Sequence, residues 1–133
     1  MDRADVERWL DDYVSAWKSY DRDQIAGLFA HDVEYRYHPY DKPVRGRDSV
    51  VAAWREEGDF PGASGRDEAG IYDGSYRAVA VDGDVAVAVG TSTYIDGPGG
   101  TVAEVYDNCF LIRFAADGRC REFTEWFMKR PTP

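Results

Sequence analysis

The spacing of apolar residues changes period once along this chain, and that change most limits its fold. Val6, Trp9, Leu10, Tyr13, Val14 and Trp17 recur every three or four positions, which is one stripe along a helix. From Asp67 onward, β-branched and aromatic runs are separated by Asp82-Gly83, by the loose connection 96–100, and by Asp117-Gly118, which are turn signals between strands. Helices first and hairpin-connected strands afterwards make an α+β order. At 133 residues the chain is one domain spanning 1–133, and with 44% hydrophobic residues it can bury a core.

The remaining elements follow from local signals. Asp21, with Gln24 three residues later, has the spacing of a capping box, so a second helix begins there and carries Ile25, Leu28 and Phe29 inward. His31-Asp32 is expected to end it. Val33 to Tyr37 reads as a strand, and Pro39 keeps His38 extended. A third helix is expected over Arg47 to Glu57, with Val50, Val51 and Trp54 as its buried stripe. Residues 58–65 hold three glycines and a proline, which predicts a loop and a candidate lid. Strands are expected at Ile71 to Val81, broken at Asp73-Gly74, then at Val85 to Tyr94, Val102 to Phe114 and Cys120 to Met128.

Charge excludes several function classes. Twenty-five acids against sixteen bases give a formal charge of −9, which repels phosphate backbones and anionic lipid, so neither nucleic acid nor a membrane is an expected partner. The segment from Met1 to Asp5 has no basic stretch leading into an apolar one and does not read as a signal peptide. Two cysteines, Cys109 and Cys120, make no disulfide framework, and a cytoplasmic setting is the default. There is no glycine-rich phosphate loop, and His31 and His38 lack ligand spacing. No cofactor and no metal is therefore expected. Cys109 has no histidine placed to activate it and reads as a buried, inert thiol.

The last hairpin can be counted by parity. If Gly118 takes the left-handed position after a type I turn, facing residues sum to about 234. Val105, Asp107, Cys109, Leu111, Phe123, Glu125 and Phe127 would then share the helix-packing face. Tyr106, Asn108, Phe110, Ile112, Thr124, Trp126 and Met128 would share the other. Both faces are apolar, which predicts a homodimer through the outer one. Asp107 and Glu125 would be carboxyls among apolar neighbours, where burial raises a carboxyl pKa toward the range that acid–base chemistry needs.

The stretch from Tyr13 to Asp32 with the following strand, the segment Pro43-Val44-Arg45-Gly46-Arg47-Asp48-Ser49-Val50, and the run from Tyr106 through Phe114 to Trp126 resemble the SnoaL-like branch of the NTF2-like superfamily. The resemblance covers nearly the whole chain. It implies a cone of three N-terminal helices packed on a strongly bent antiparallel sheet, enclosing an apolar cavity. Such domains include isomerases, polyketide cyclases, dehydratases, epoxide hydrolases and proteins that only bind. Ketosteroid isomerase, a worked case of a tyrosine and a protonated aspartate holding an oxyanion, gives the sharpest comparison. By ungapped counting, Tyr13 falls on the tyrosine and Asp107 on the protonated aspartate. The position of that family's base carboxylate falls on Tyr37, or on His38 with one insertion, with Asp41 the only nearby carboxylate. No arginine held between two inward aspartates, the epoxide-hydrolase arrangement, can be placed.

The resemblance thus implies a cofactor-independent acid–base enzyme, isomerase, cyclase or dehydratase in type, acting on a small hydrophobic molecule. Tyr13 and Asp107 would hold the oxyanion, and His38, or Asp41 in its stead, would move the proton. Trp17, Tyr35, Tyr37, Trp54, Glu125 and Phe127 would shape the pocket. The rival expectation is a non-catalytic small-molecule-binding or scaffold domain of the same fold.

Overall fold

A computed structural model describes residues 1–56, 71–97 and 99–131. The expected lid at 58–65 lies outside the described residues. Three helices, α1 (Arg3–Ser19), α2 (Arg22–Leu28) and α3 (Arg47–Trp54), accompany six strands. These are β1 (Phe29–Arg36), β2 (Val44–Arg45), β3 (Tyr72–Asp82), β4 (Val85–Ile95), β5 (Val102–Phe114) and β6 (Cys120–Lys129). They form one sheet in the order β2-β1-β6-β5-β4-β3. No helix among the described residues is long and apolar enough to cross a membrane.

Helix α1 forms where its stripe predicts. Asp2 and Asp5 cap its first turn reciprocally, each carboxylate accepting the other's backbone N–H at 2.8 and 3.0 Å. Val6, Trp9, Leu10, Tyr13 and Trp17 are buried. The helix is tied to β3 where that strand bulges between Ala78 and Ala80. There the Ala78 N–H donates to Glu7 Oε1 at 2.9 Å, and Arg3 donates to the Ala78 carbonyl. The expected break at Asp73-Gly74 is absent, since both residues pair regularly with β4. Asp21 caps α2 as expected, accepting from the Gln24 N–H at 2.9 Å. This helix ends at Leu28 rather than at His31-Asp32, which lie inside β1.

The sheet departs from the expected antiparallel arrangement at one place, because β1 runs parallel to β6. Short connections join the strands of the meander β3 to β6, which is antiparallel throughout. No hairpin joins β1 to β6, so nothing imposes that direction there. Both β1 and β6 carry register irregularities, which bend this half of the sheet over the core.

The core is mostly aromatic. Trp54 is 1% exposed and meets Trp17, Tyr13, Phe29 and Tyr35 with ring centroids 4.5 to 5.9 Å apart. Phe123 stacks on Tyr35 at 4.6 Å and packs beside Phe110 at 4.9 Å. Edge and offset contacts of this kind add to area burial. The cluster packs α1 and α3 on the sheet, and Tyr72, at its edge, borders an open space together with Tyr94 and Tyr106.

Candidate functional site

The hairpin β5–β6 decides which carboxyl faces inward. Gly118 takes the left-handed conformation at φ 86°, and Phe114 pairs with Cys120, as the turn count requires. One step further, Arg113 pairs with Glu122, so Arg121 is an extra residue on β6. Every later pair is displaced by one: Ile112 with Phe123, Phe110 with Glu125, Asn108 with Phe127. A slip of one residue turns a strand's whole set of side chains to the other face.

The β6 half of the parity count therefore holds, with Phe123, Glu125 and Phe127 inward. The β5 half is corrected. Asp107 lies on the outer face, where the Arg130 guanidinium donates to both of its carboxylate oxygens at 2.8 Å. That pairing holds the Asp107 carboxyl below the ordinary carboxylate value. Asp107 is not the protonated, inward group expected by counting. Cys109 shares the outer face and is half-buried rather than sealed in the core. Asn108 takes the inward place instead. The signal that could have found it is in β5 itself: Phe110, Ile112 and Phe114 share one parity, whereas Asp107 and Arg113 share the other.

A cavity of about 520 Å³ opens between α1 and the inner face of the sheet. Tyr13, Trp17, Tyr35, Tyr37, His38, Glu125 and Phe127 all border it. Besides Asp107, two sequence candidates do not. Trp54 belongs to the core behind the wall. Asp41 touches the site only through His38, whose Nδ1 lies 2.9 Å from Asp41 Oδ2. His38 sits at the rim, packed between Tyr40 and Phe127 with ring centroids 5.2 and 5.1 Å away.

The Glu125 carboxyl has one protein partner among the described residues, the Asn108 amide, which donates to Oε2 at 2.7 Å. Burial pushes its pKa from an ordinary 4.5 up to about 7, and the Asn108 bond opposes that rise. The residue is half-buried by surface because the area it keeps is cavity wall. Its charge is felt by Tyr13, Tyr35, Tyr37, Tyr72 and Tyr76, whose hydroxyls are raised chiefly by burial, Tyr76 to about 12. All five therefore stay protonated near neutral pH. The Tyr13 and Tyr35 hydroxyls meet at 3.4 Å.

Tyr72, Tyr76, Ser92 and Asn108 border the cavity too and were given no role by sequence reasoning. They lie on adjacent strands at matching inward positions of β3, β4 and β5. Tyr72 Oη and Tyr76 Oη are 2.7 Å apart, Tyr76 Oη and Ser92 Oγ 2.6 Å, and Ser92 donates to Asn108 Oδ1 at 2.9 Å. No lysine or arginine borders the cavity among the described residues.

The model of the family described as "SnoaL-like domain" matches residues 6–123. The chain belongs to this SnoaL-like family. The match spans the three helices and the sheet as far as Phe123 in β6. No curated protein sequence matches the chain. Two solved structures of this fold illustrate its range. An LEH-like epoxide hydrolase from M. tuberculosis is 16% identical, with 95% of this chain and 84% of that one covered at a TM-score of 0.64. A ketosteroid isomerase-like protein from Kribbella flavida DSM 17836 is 19% identical, with 99% and 84% covered, also at 0.64. At these identities the likeness concerns the NTF2-like α+β fold with its curved six-stranded sheet.

Proposed function

We propose that this SnoaL-like domain is a cofactor-independent acid–base enzyme, isomerase, cyclase or dehydratase in type, acting on a small hydrophobic, carbonyl-bearing molecule. The observation that carries this reading is Glu125: a carboxyl held by Asn108 against a tyrosine-lined cavity, its pKa pushed up by burial to about 7. A group half-ionised near neutral pH accepts and returns a proton with little bias.

In this reading the substrate occupies the cavity with an acidic C–H beside the Glu125 carboxylate. The proton passes to Glu125, and the C–H electron pair delocalises to the carbonyl oxygen. The Tyr13 hydroxyl donates a hydrogen bond to that developing oxyanion, a role suited to a donor that stays protonated. Glu125 then returns the proton at another atom. His38, oriented by Asp41, stands at the mouth as a second proton carrier. The absence of a cavity arginine among the described residues favours this chemistry over an Arg–Asp epoxide-opening arrangement.

The test is α-proton exchange on a panel of enolisable aryl ketones. The Glu125→Gln variant is expected to lose at least about a hundredfold in rate while still binding a hydrophobic ligand. A rate unchanged by that substitution removes Glu125 from the chemistry. Ligand binding with no exchange by the unaltered protein favours the rival, a non-catalytic binding domain; the four polar groups that partner one another along the cavity wall suit that rival as well.

The domain is also proposed to be a homodimer through the outer sheet face. Leu111, Trp126 and Met128 are exposed there on β5 and β6, which is costly for a surface left in water. Light scattering at micromolar concentration should give twice the 15.0 kDa chain mass, and Trp126→Glu should give the monomer. A monomeric unaltered protein would count against the interface.

A further inference from the structure

Ser92 and Asn108 are the only non-aromatic polar side chains in the buried set of described residues, at 5% and 7% exposed, and both belong to the row that ends at Glu125. Counting donors gives this row a direction. The Asn108 N–H donates to Glu125, so its Oδ1 is the acceptor that faces Ser92. Ser92 has one hydrogen and uses it on Asn108, so its oxygen accepts from Tyr76. Tyr76 has then used its hydrogen, so its oxygen accepts from Tyr72. All the donors point toward the carboxylate, and Tyr72 Oη is left with acceptor capacity alone.

The backbone is shaped for this row. A Cβ on Gly74 would lie 2.2 Å from Tyr72 Oη and 2.8 Å from the edge of the Tyr76 ring. A Cβ on Gly90 would lie 2.7 Å from the Tyr76 ring and 2.0 Å from the Ser75 carbonyl. At both inward positions only glycine lets the two tyrosines lie flat across β3 and β4.

We infer that Tyr72, Tyr76, Ser92 and Asn108 form a reversible hydrogen-bond chain whose direction is set by whether Glu125 is charged. When Glu125 takes a proton on Oε2, it donates to Asn108 Oδ1, and the Asn108 amide turns over to donate to Ser92. Ser92 then donates to Tyr76, and Tyr76 to Tyr72. The Tyr72 hydrogen is released toward the cavity. No proton changes owner between Asn108 and Tyr72; hydroxyls rotate and one amide flips. The cavity wall thus gains a donor at Tyr72 as Glu125 becomes neutral, so a substrate oxygen that gains charge on deprotonation meets that donor. The last consequence rests on the proposed role of Glu125; the chain itself does not.

The titratable groups facing Glu125 are Tyr13 of α1, Tyr35 and Tyr37 beside it on the β1 side, and Tyr72 and Tyr76 of β3. Tyr94 of β4, Tyr106 and Glu104 of β5, and His38 border the same cavity. The five tyrosines that face Glu125 remain protonated across the working range, and Glu125 is the cavity acid hydrogen-bonded to the row, through Asn108, so Glu125 is the switch.

The test uses the full chain carrying ¹³C at Glu Cδ and Tyr Cζ, titrated by NMR between about pH 5 and 9 around the neutral midpoint. Tyr72 Cζ is expected to shift with the Glu125 midpoint. In Ser92→Ala, and independently in Tyr76→Phe, Tyr72 should lose most of that response. Tyr13, close to Glu125 but outside the chain, should keep its response in both variants. Two variants at separate links guard against misfolding of either. A Tyr72 signal that stays flat while Glu125 titrates overturns the inference and leaves the proposed function standing. So does an unchanged Tyr72 response in both variants, which would mark a through-space effect. A Glu125 midpoint below pH 5 overturns it as well. Unaltered exchange activity in Glu125→Gln defeats the proposed function alone.

Discussion

Replacing Glu125 by Gln should stabilise the fold, and more so as pH rises. The folded protein holds the Glu125 proton to about pH 7, whereas an unfolded chain releases it near 4.5. Between those values the unfolded state has lost a proton that the folded state retains. Stability therefore falls with rising pH across that window and levels off above it. The full difference is at most about 3 kcal/mol, reduced by whatever water enters the cavity. Gln keeps the shape and still accepts from Asn108, but cannot ionise. Urea melts should show the variant and the unaltered protein alike at pH 4.5 and the variant more stable by about 2 kcal/mol at pH 8. Comparing the two proteins at each pH cancels the exposed pairs, such as Asp107 with Arg130, that titrate in both. A difference independent of pH would mean that the carboxyl is not held in an apolar setting.

Trp54→Ala should have the largest effect on stability of any single core substitution and little effect on ligand preference. Trp54 is surrounded by four aromatic rings from α1 and β1 and borders no part of the cavity. Deleting such a ring leaves a cavity that stiff neighbours cannot fill, at a cost of about 3 to 5 kcal/mol. Trp17→Ala, by contrast, removes a ring that does border the cavity and should change ligand binding as well as stability. Denaturant midpoints with ligand titrations on both variants separate the roles. A change of ligand preference in Trp54→Ala, at unchanged stability, would return it to the pocket wall.

The helical half was legible because one face of α1 is apolar at a single period, and a helix permits only one placement of that face. Tyr13 and Trp17 reach the cavity on that ground alone. The inward run of β6 was legible for the same reason, since Phe123 and Phe127 flank Glu125 at strand period. The position of β5 was not, because Arg121 is an added residue in a strand that otherwise alternates. A bulge of this kind follows from the twist and bend of the sheet, not from a local residue signal. Turn counting transmitted its one-residue error to Asp107, while the composition of β5 pointed the other way. The row from Tyr72 to Asn108 was hidden for a different reason. It joins three strands whose registers combine only in the folded sheet, and none of its members is unusual in its own segment. The parallel pairing of β1 with β6 likewise depends on contacts between the two ends of the chain.

Direct titration of the two carboxyls tests most plainly whether Glu125, and not Asp107, is the cavity acid. With ¹³C labels at Glu Cδ and Asp Cγ, Glu125 should titrate near pH 7, and Asp107 should titrate below its ordinary 3.8. A Glu125 midpoint near 4.5, with Asp107 raised toward neutrality, would contradict the inward placement of Glu125 and restore the register in which Asp107 faces the cavity.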